Sequence, residues 1–113
     1  MSINSKEKGK RGELEVVQLL RNAGFPTAER TAQYCGNNPE GVADVRGVPG
    51  IHIEVKRVEH LNIDDALDQS RRDAGKTDGG IPIVVHRRSG KGWKVTMDAM
   101  DWIALFKKAR ERE

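Results

Sequence analysis

The segment Ile51-His52-Ile53-Glu54-Val55-Lys56-Arg57-Val58 most narrows what this chain can fold into. Ile51, Ile53 and Val55 alternate with His52, Glu54 and Lys56. A period of two is the pattern of a strand, whose successive side chains leave opposite faces of a sheet. Gly47-Val48-Pro49-Gly50 reads as a turn and Val42 to Arg46 as a short preceding strand, so the pattern predicts a hairpin.

Helices are expected on either side of this hairpin. One should run from about Lys10 to Ala23, ended by Gly24 and Pro26. Residues 1–9 read as a flexible basic segment, and residues 27–41, with Gly36, Asn37, Asn38, Pro39 and Gly41, as a long loop. Residues 63–74 predict a second helix capped by Asp64 or Asn62. Gly79-Gly80 then precedes a buried strand, Ile81 to His86, and residues 88–92 turn into a last strand, Trp93 to Met97. Asp98 should cap a C-terminal helix with Trp102, Leu105, Phe106 and Ala109 on one face. The fold class is α/β: a central mixed β-sheet flanked by α-helices.

Composition sets bounds on this fold. With 113 residues and no internal repeat or linker, one domain over 1–113 is expected. Apolar residues make up 36% and charged residues 33%, against roughly 45–50% and 25% in an ordinary globular chain, so the core must be modest. The 20 basic residues are nearly balanced by 17 acids, for a formal charge of +3, which excludes a histone-like polycation. Any nucleic-acid site must come from the placement of charge. The single cysteine, Cys35, excludes an intrachain disulfide and a multi-cysteine zinc site. No apolar run approaches the roughly 20 residues of a membrane span, and Met1 to Lys6 has no signal-peptide core. The expectation is a soluble cytoplasmic protein with no membrane partner.

The alternation at 51–58 also carries chemistry. Glu54 and Lys56 share one strand face, an arrangement that also fits a solvated face with an ordinary ion pair. The hairpin brings Asp44 near Glu54, although Asp44 also reads as a turn acid ahead of Gly47. Two converging carboxylates beside a lysine are the raw material of a Mg²⁺ site, since that ion takes oxygen ligands and keeps several waters. Glu13 shares a helix face with Val16, Val17 and Leu20, so it leans toward the packed side, whereas Glu15 should point away. An inward carboxylate needs compensation by charge, hydrogen bonds or metal, and a first-turn acid also complements the helix dipole. Lys6, Lys8, Lys10, Arg11, Arg30 and Arg57 cluster around these acids in the chain, as phosphate-backbone binding requires, although each also reads as a scattered solubilising charge. Gly75-Lys76-Thr77 is not a phosphate loop, because Ser70 stands where the first glycine must be. His52, His60 and His86 have no helical metal spacing, and Cys35 has no neighbouring base.

Taken together, these segments resemble a known family. Lys8-Gly9-Lys10-Arg11-Gly12-Glu13-Leu14-Glu15-Val16-Val17-Gln18-Leu19-Leu20, with Gly24-Phe25, resembles the opening helix of archaeal-type Holliday junction resolvases. Ala43-Asp44-Val45 followed by Ile53-Glu54-Val55-Lys56 resembles their PD-(D/E)xK nuclease core. Ser70-Arg71-Arg72, Gly79 to Val85 and Gly92-Trp93-Lys94-Val95 resemble the later segments in the same order. The departures are Ala43 for the motif proline, Leu14 where a basic side chain is usual, and a longer loop at 31–41.

The resemblance implies a restriction-endonuclease-like core and a homodimer. It implies a Mg²⁺-dependent endonuclease, with Mn²⁺ able to substitute, that resolves four-way DNA junctions by paired symmetric nicks. Glu13, Asp44 and Glu54 would be the catalytic acids and metal ligands, Val55 a further ligand through its carbonyl, and Lys56 the catalytic lysine. Lys8, Lys10, Arg11, Arg30 and Arg57 would contact DNA. Such an enzyme would work at the nucleoid, or in the host cytoplasm if the source is viral. Two other readings stay open: the same core acting on forks, flaps or duplex DNA, and a non-catalytic DNA-binding module.

Overall fold

The computed structural model describes residues 5–31, 42–76 and 80–112. Cys35 and most of the expected 27–41 loop fall outside them. The elements are α1 (Ser5–Asn22), β1 (Glu29–Arg30), β2 (Val45–Arg46), β3 (Ile51–Arg57), α2 (Ile63–Lys76), β4 (Ile81–Arg87), β5 (Lys94–Met97) and α3 (Ala99–Glu111). The sheet order follows the chain, β1-β2-β3-β4-β5. Only the β3–β4 pair is parallel, its register running from Ile51 opposite Ile81 to Arg57 opposite Arg87, and helix α2 makes that crossover. The other neighbouring pairs are antiparallel, so the sheet is mixed, as expected.

The period of two in β3 and β4 divides the molecule into two unequal layers. Ile53, Val55, Ile83 and Val85 join Val16 and Val17 of α1, Ala28 and Val45 in the main core, with Leu20, Trp93 and Met97 packed around them. Among the described residues the opposite face holds only Ala66 and Leu67 of α2 against Val84, with Leu61 and Ile63 at its margin. His52 and Glu54 lie on this smaller side, each 2% exposed. The polar face of β3 is therefore covered, and it is not a solvated sheet surface.

Local chemistry explains most of the element ends. Helix α1 begins at Ser5, five residues before the expected start, so Lys6 and Lys8 belong to its first turns. It closes with Phe25 N–H on the Leu20 carbonyl and Gly24 N–H on the Arg21 carbonyl, Gly24 taking φ +107° as that motif requires. Between the two candidate caps of α2, Asn62 is the one whose Oδ1 accepts the Asp65 N–H, at 3.1 Å. Asp98 does hold the N-cap position of α3, but its carboxylate receives Arg71 and makes no side-chain cap bond. Strand β2 has two residues where five were expected.

Helix α3 leaves its apolar face uncovered. None of its residues is buried, and Trp102, Leu105 and Phe106 are 52%, 44% and 51% exposed. The Trp102 and Phe106 rings stack on each other at 5.4 Å. The apolar surface of α2, by contrast, is turned to the sheet through Ala66, Leu67 and Ala74. Among the described residues no helix is long and apolar enough to cross a membrane.

The turn before β3 can be tested by substitution. Gly47 has φ +88°, and a Cβ there would meet the Thr27 carbonyl oxygen at 1.9 Å. Gly50 has φ +90° but open space around it. Gly50→Ala should cost about 1–2 kcal/mol, the price of a left-handed alanine. Gly47→Ala should cost clearly more, because the backbone must also move. Chemical denaturation of both variants measures the difference, and equal costs would mean that the Thr27–Gly47 approach is not kept in solution.

Candidate active site

The site grows out of one break in the sheet. Val45 pairs with Ile53, and the Asp44 N–H donates to the Ile53 carbonyl at 2.9 Å. One step on, the ladder between β2 and β3 stops. The Val55 N–H donates instead to Asp44 Oδ2, at 2.8 Å. Strand alternation turns the Val55 carbonyl to the same edge. The freed chain before Asp44 is tied by Thr31, whose N–H donates to the Asp44 carbonyl at 3.0 Å and whose hydroxyl donates to the Ala43 carbonyl at 2.5 Å.

This break places Asp44 beside Glu54. The Asp44 carboxyl is pushed up to about 8, first by burial and then by the negative charge of Glu54, with Glu13 adding to both; the Val55 N–H opposes the rise. Two carboxylates brought together in a poorly solvated place cannot both remain ionised without a compensating cation. The donors are all oxygens, and the Val55 carbonyl lies on their side of the strand. That set fits a hard divalent cation such as Mg²⁺.

The other expected site residues fall into three groups. Glu13 does lean inward, and its Oε1 accepts Arg30 Nε at 2.6 Å in a partly buried ion pair. Gly12 lets α1 come this close, since a Cβ there would lie 3.0 Å from the Arg57 Cβ. Lys56 lines an open cleft of about 400 Å³ together with Leu61, Asn62, Asp65, Gln69 and Arg72. Lys10 and Arg11 are exposed on α1, while Lys8 lies 4.0 Å from Glu59.

Glu15 departs from the sequence expectation, with Arg57 as one of its partners. Glu15 does not point away into solvent. It receives Arg57 Nη1 at 3.2 Å and Arg87 at 2.8 Å, and Arg87 in turn stacks over Trp93. Arg57 Nε is buried with no hydrogen-bond partner. Arg57 and Arg87 thus join α1 to the sheet through Glu15, the Arg87 pairing spanning 72 residues of sequence that no local pattern reveals.

One residue at the site was passed over in the sequence. His52 Nε2 lies 3.3 Å from Glu54 Oε1, with both side chains almost fully buried. Asp73 of α2 brings a carboxylate within 4.8 Å of both. Helical metal spacing does not reveal it, whereas the strand period itself puts residues 52 and 54 on one face.

The fold and this geometry can be set against known proteins. No protein-family model matches the chain, and no curated protein matches it. Among solved structures it is similar to that of Archaeoglobus fulgidus Hjc, a Holliday junction resolvase from an archaeal hyperthermophile, with a TM-score of 0.57 and 25% identity over 79% of this chain and 76% of that one. The resemblance to archaeal-type Holliday junction resolvases read in the sequence, and the α/β fold class with it, are borne out by this likeness.

The carboxylate pair has a measurable consequence. Asp44 has its ordinary value of 3.8 when unfolded and about 8 when folded, so the folded protein holds the extra proton. Its contribution is complete below the unfolded value and is lost as pH rises toward the folded one, at up to about 1.4 kcal/mol per pH unit. Asp44→Asn keeps an acceptor for the Val55 N–H but removes the titration. In the absence of divalent cations this variant should therefore melt above the parent at pH 8, with the gap closing toward pH 5. Added Mg²⁺ should raise the melting temperature of the parent only. Thermal melts across pH test both statements, and a parent more stable at pH 8 than the variant would contradict the raised value.

Proposed function

We propose that this chain is a divalent-cation-dependent endonuclease that cuts DNA at four-way junctions. The observation that carries the reading is the convergence of Asp44 and Glu54 at a break in the sheet, where burial and the neighbouring carboxylate raise the Asp44 carboxyl. The likeness to a Holliday junction resolvase supports the choice of substrate.

In this reading Asp44, Glu54 and the Val55 carbonyl hold Mg²⁺, or Mn²⁺ in its place, and Glu13 completes the acidic set from α1. When bound, the cation supplies an activated water and neutralises charge on the phosphoryl oxygens. The remaining work belongs to the side chains. Lys56 Nζ donates to the attacking water or to a non-bridging oxygen, adding positive charge where negative charge develops. The cleft beside Lys56 receives the cut strand, and Lys8, Lys10 and Arg11 on α1 meet the phosphate backbone. Arg30, held by Glu13, positions that carboxylate and stands next to the path of the DNA. The setting is DNA in the cytoplasm, at a nucleoid or in a host cell.

Asp44→Asn and Glu54→Gln change charge with little change in shape, so folding should survive. Each should slow cleavage of a labelled synthetic junction by a thousandfold or more, equivalent to about 4 kcal/mol of transition-state stabilisation. Junction affinity without Mg²⁺ should hold in Asp44→Asn, whose carboxyl already keeps its proton near neutral pH, and hold or rise in Glu54→Gln, where a negative charge near phosphate is gone. Lys56→Ala should also stop cutting, with affinity slightly reduced. Glu111→Gln at the exposed end of α3 is the matching control. Near-parental cutting by the Asp44 or Glu54 variant would overturn this active site. Equal cleavage of forks, flaps or plain duplex would move the substrate away from junctions, and no cutting by the parent would leave a binding module.

We propose further that the protein works as a homodimer, which supplies two active sites to a junction of approximate two-fold symmetry and so gives paired nicks. The apolar face of α3 is where a second copy would pack: Trp102, Ile103, Leu105 and Phe106 are all more than 40% exposed on one short helix. The parent should sediment as a dimer at micromolar concentration, and the double variant Trp102→Asp, Phe106→Asp as a monomer. A monomeric parent would remove the paired-nick mechanism.

A further inference from the structure

We infer that His52 is a positioning residue for Glu54: its Nε2–H holds one carboxylate oxygen so that the other is presented to the cation. The inference rests on the metal-centre reading of Asp44 and Glu54 given above, and it concerns a residue outside the four acidic and basic site residues.

The geometry is narrow. His52 and Glu54 are separated by one residue on β3, so their side chains leave the same sheet face. Both are 2% exposed, and the Nε2 to Oε1 distance is 3.3 Å. An ionised carboxylate offers only acceptors, so a contact with it requires the ring proton on Nε2. A buried carboxylate with no such donor would carry the full cost of desolvation. The backbone that carries the ring is itself tied down. Ser70, wholly buried on α2, donates to the Ile83 carbonyl at 3.1 Å and lies 3.5 Å from the His52 carbonyl, which ties the start of β3 to β4. One Glu54 oxygen is therefore fixed by a rigid neighbour, as metal-binding carboxylates generally are by the groups behind them.

A second role for the ring has to be separated from this one. A distance near 3.3 Å also suits two ligands of one cation, and Asp73 stands close to both groups. The ring proton distinguishes the two roles. A positioning ring keeps Nε2 protonated when the cation is bound, whereas a ligating ring must give that nitrogen to the cation. His52→Gln restores a hydrogen-bond donor, while His52→Leu removes both roles.

The experiment is Mn²⁺ binding to the protein alone, followed by electron paramagnetic resonance, with circular dichroism and melting curves as folding controls. His52→Gln should bind Mn²⁺ within about threefold of the parent. His52→Leu should bind at least tenfold more weakly, and its half-saturating Mg²⁺ for junction cleavage should rise in parallel while metal-free junction affinity stays the same. In the Glu54→Gln background the leucine change should have no further effect. Parental affinity in His52→Leu, or equal loss in the glutamine and leucine variants, overturns the inference. Should His52→Leu not fold, nitrogen-15 NMR of the parent's histidine ring still decides, because Nε2 without a proton would overturn it. If Asp44→Asn and Glu54→Gln leave Mn²⁺ binding intact, the metal-centre reading itself has failed; if they abolish it and His52→Leu does not weaken it, only the positioning role has.

Discussion

The hydrogen bond from the Val55 N–H to the Asp44 carboxylate governs the rest of the site. At that point a side chain takes the place of a backbone carbonyl in the β2–β3 ladder. A buried amide must find an acceptor, and a two-residue strand cannot supply one. The solution brings a carboxylate to the edge of a central strand whose next residue inward is another acid, Glu54. The unfavourable proximity of the two acids is thus a direct consequence of how the backbone is satisfied. The energy that holds Asp44 in place comes from the hairpin, from Thr31 and from the packing of Val45 against Ile53.

The two faces of the sheet divide the labour. On the α1 side, Val16, Val17, Ile53, Val55, Ile83 and Val85 form a close-packed apolar layer that fixes the strands. On the α2 side the apolar contacts are few, and His52, Glu54 and Ser70 occupy positions where aliphatic side chains would add stability. A chain with only 36% apolar residues accepts this cost on one layer because the other carries the fold. The same division explains why Glu13 reaches the site from the opposite side. It stands at the margin of the apolar layer, where the sheet has opened and where Arg30 can pair with it.

Much of this architecture was legible in residues 51–58, because a period of two specifies both the strand and which side chains share a face. The hairpin turn was equally legible, since Gly47 and Gly50 take positive φ. The full burial of Glu54 was not, because an alternating pattern looks the same whether its polar face meets water or a second helix. The ion pairs of Glu15 with Arg57 and Arg87 were out of reach for a different reason. They join α1 to strands far along the chain, and charge on a helix surface carries no mark of its distant partner. An apolar helix face ordinarily reads as a core face, yet this sheet already has α1 and α2 on its two sides and α3 stays exposed.

The ion pairs also change what a net charge of +3 means for a polyanionic substrate. An arginine already neutralising a carboxylate cannot neutralise a phosphate without leaving that acid behind. Arg30, Arg57 and Arg87 are committed to Glu13 and Glu15 at partly buried positions, so they hold the geometry of α1 against the sheet. Lys10, Arg11 and Arg72 are exposed, on α1 and on α2. Near neutral pH the raised Asp44 carboxyl keeps its proton and so removes one negative charge from the field around the site. These pairs set three cations against two acids, so they do not by themselves make the surface more positive than the composition. A positive field at the site must come from where the exposed Lys10, Arg11 and Arg72 stand.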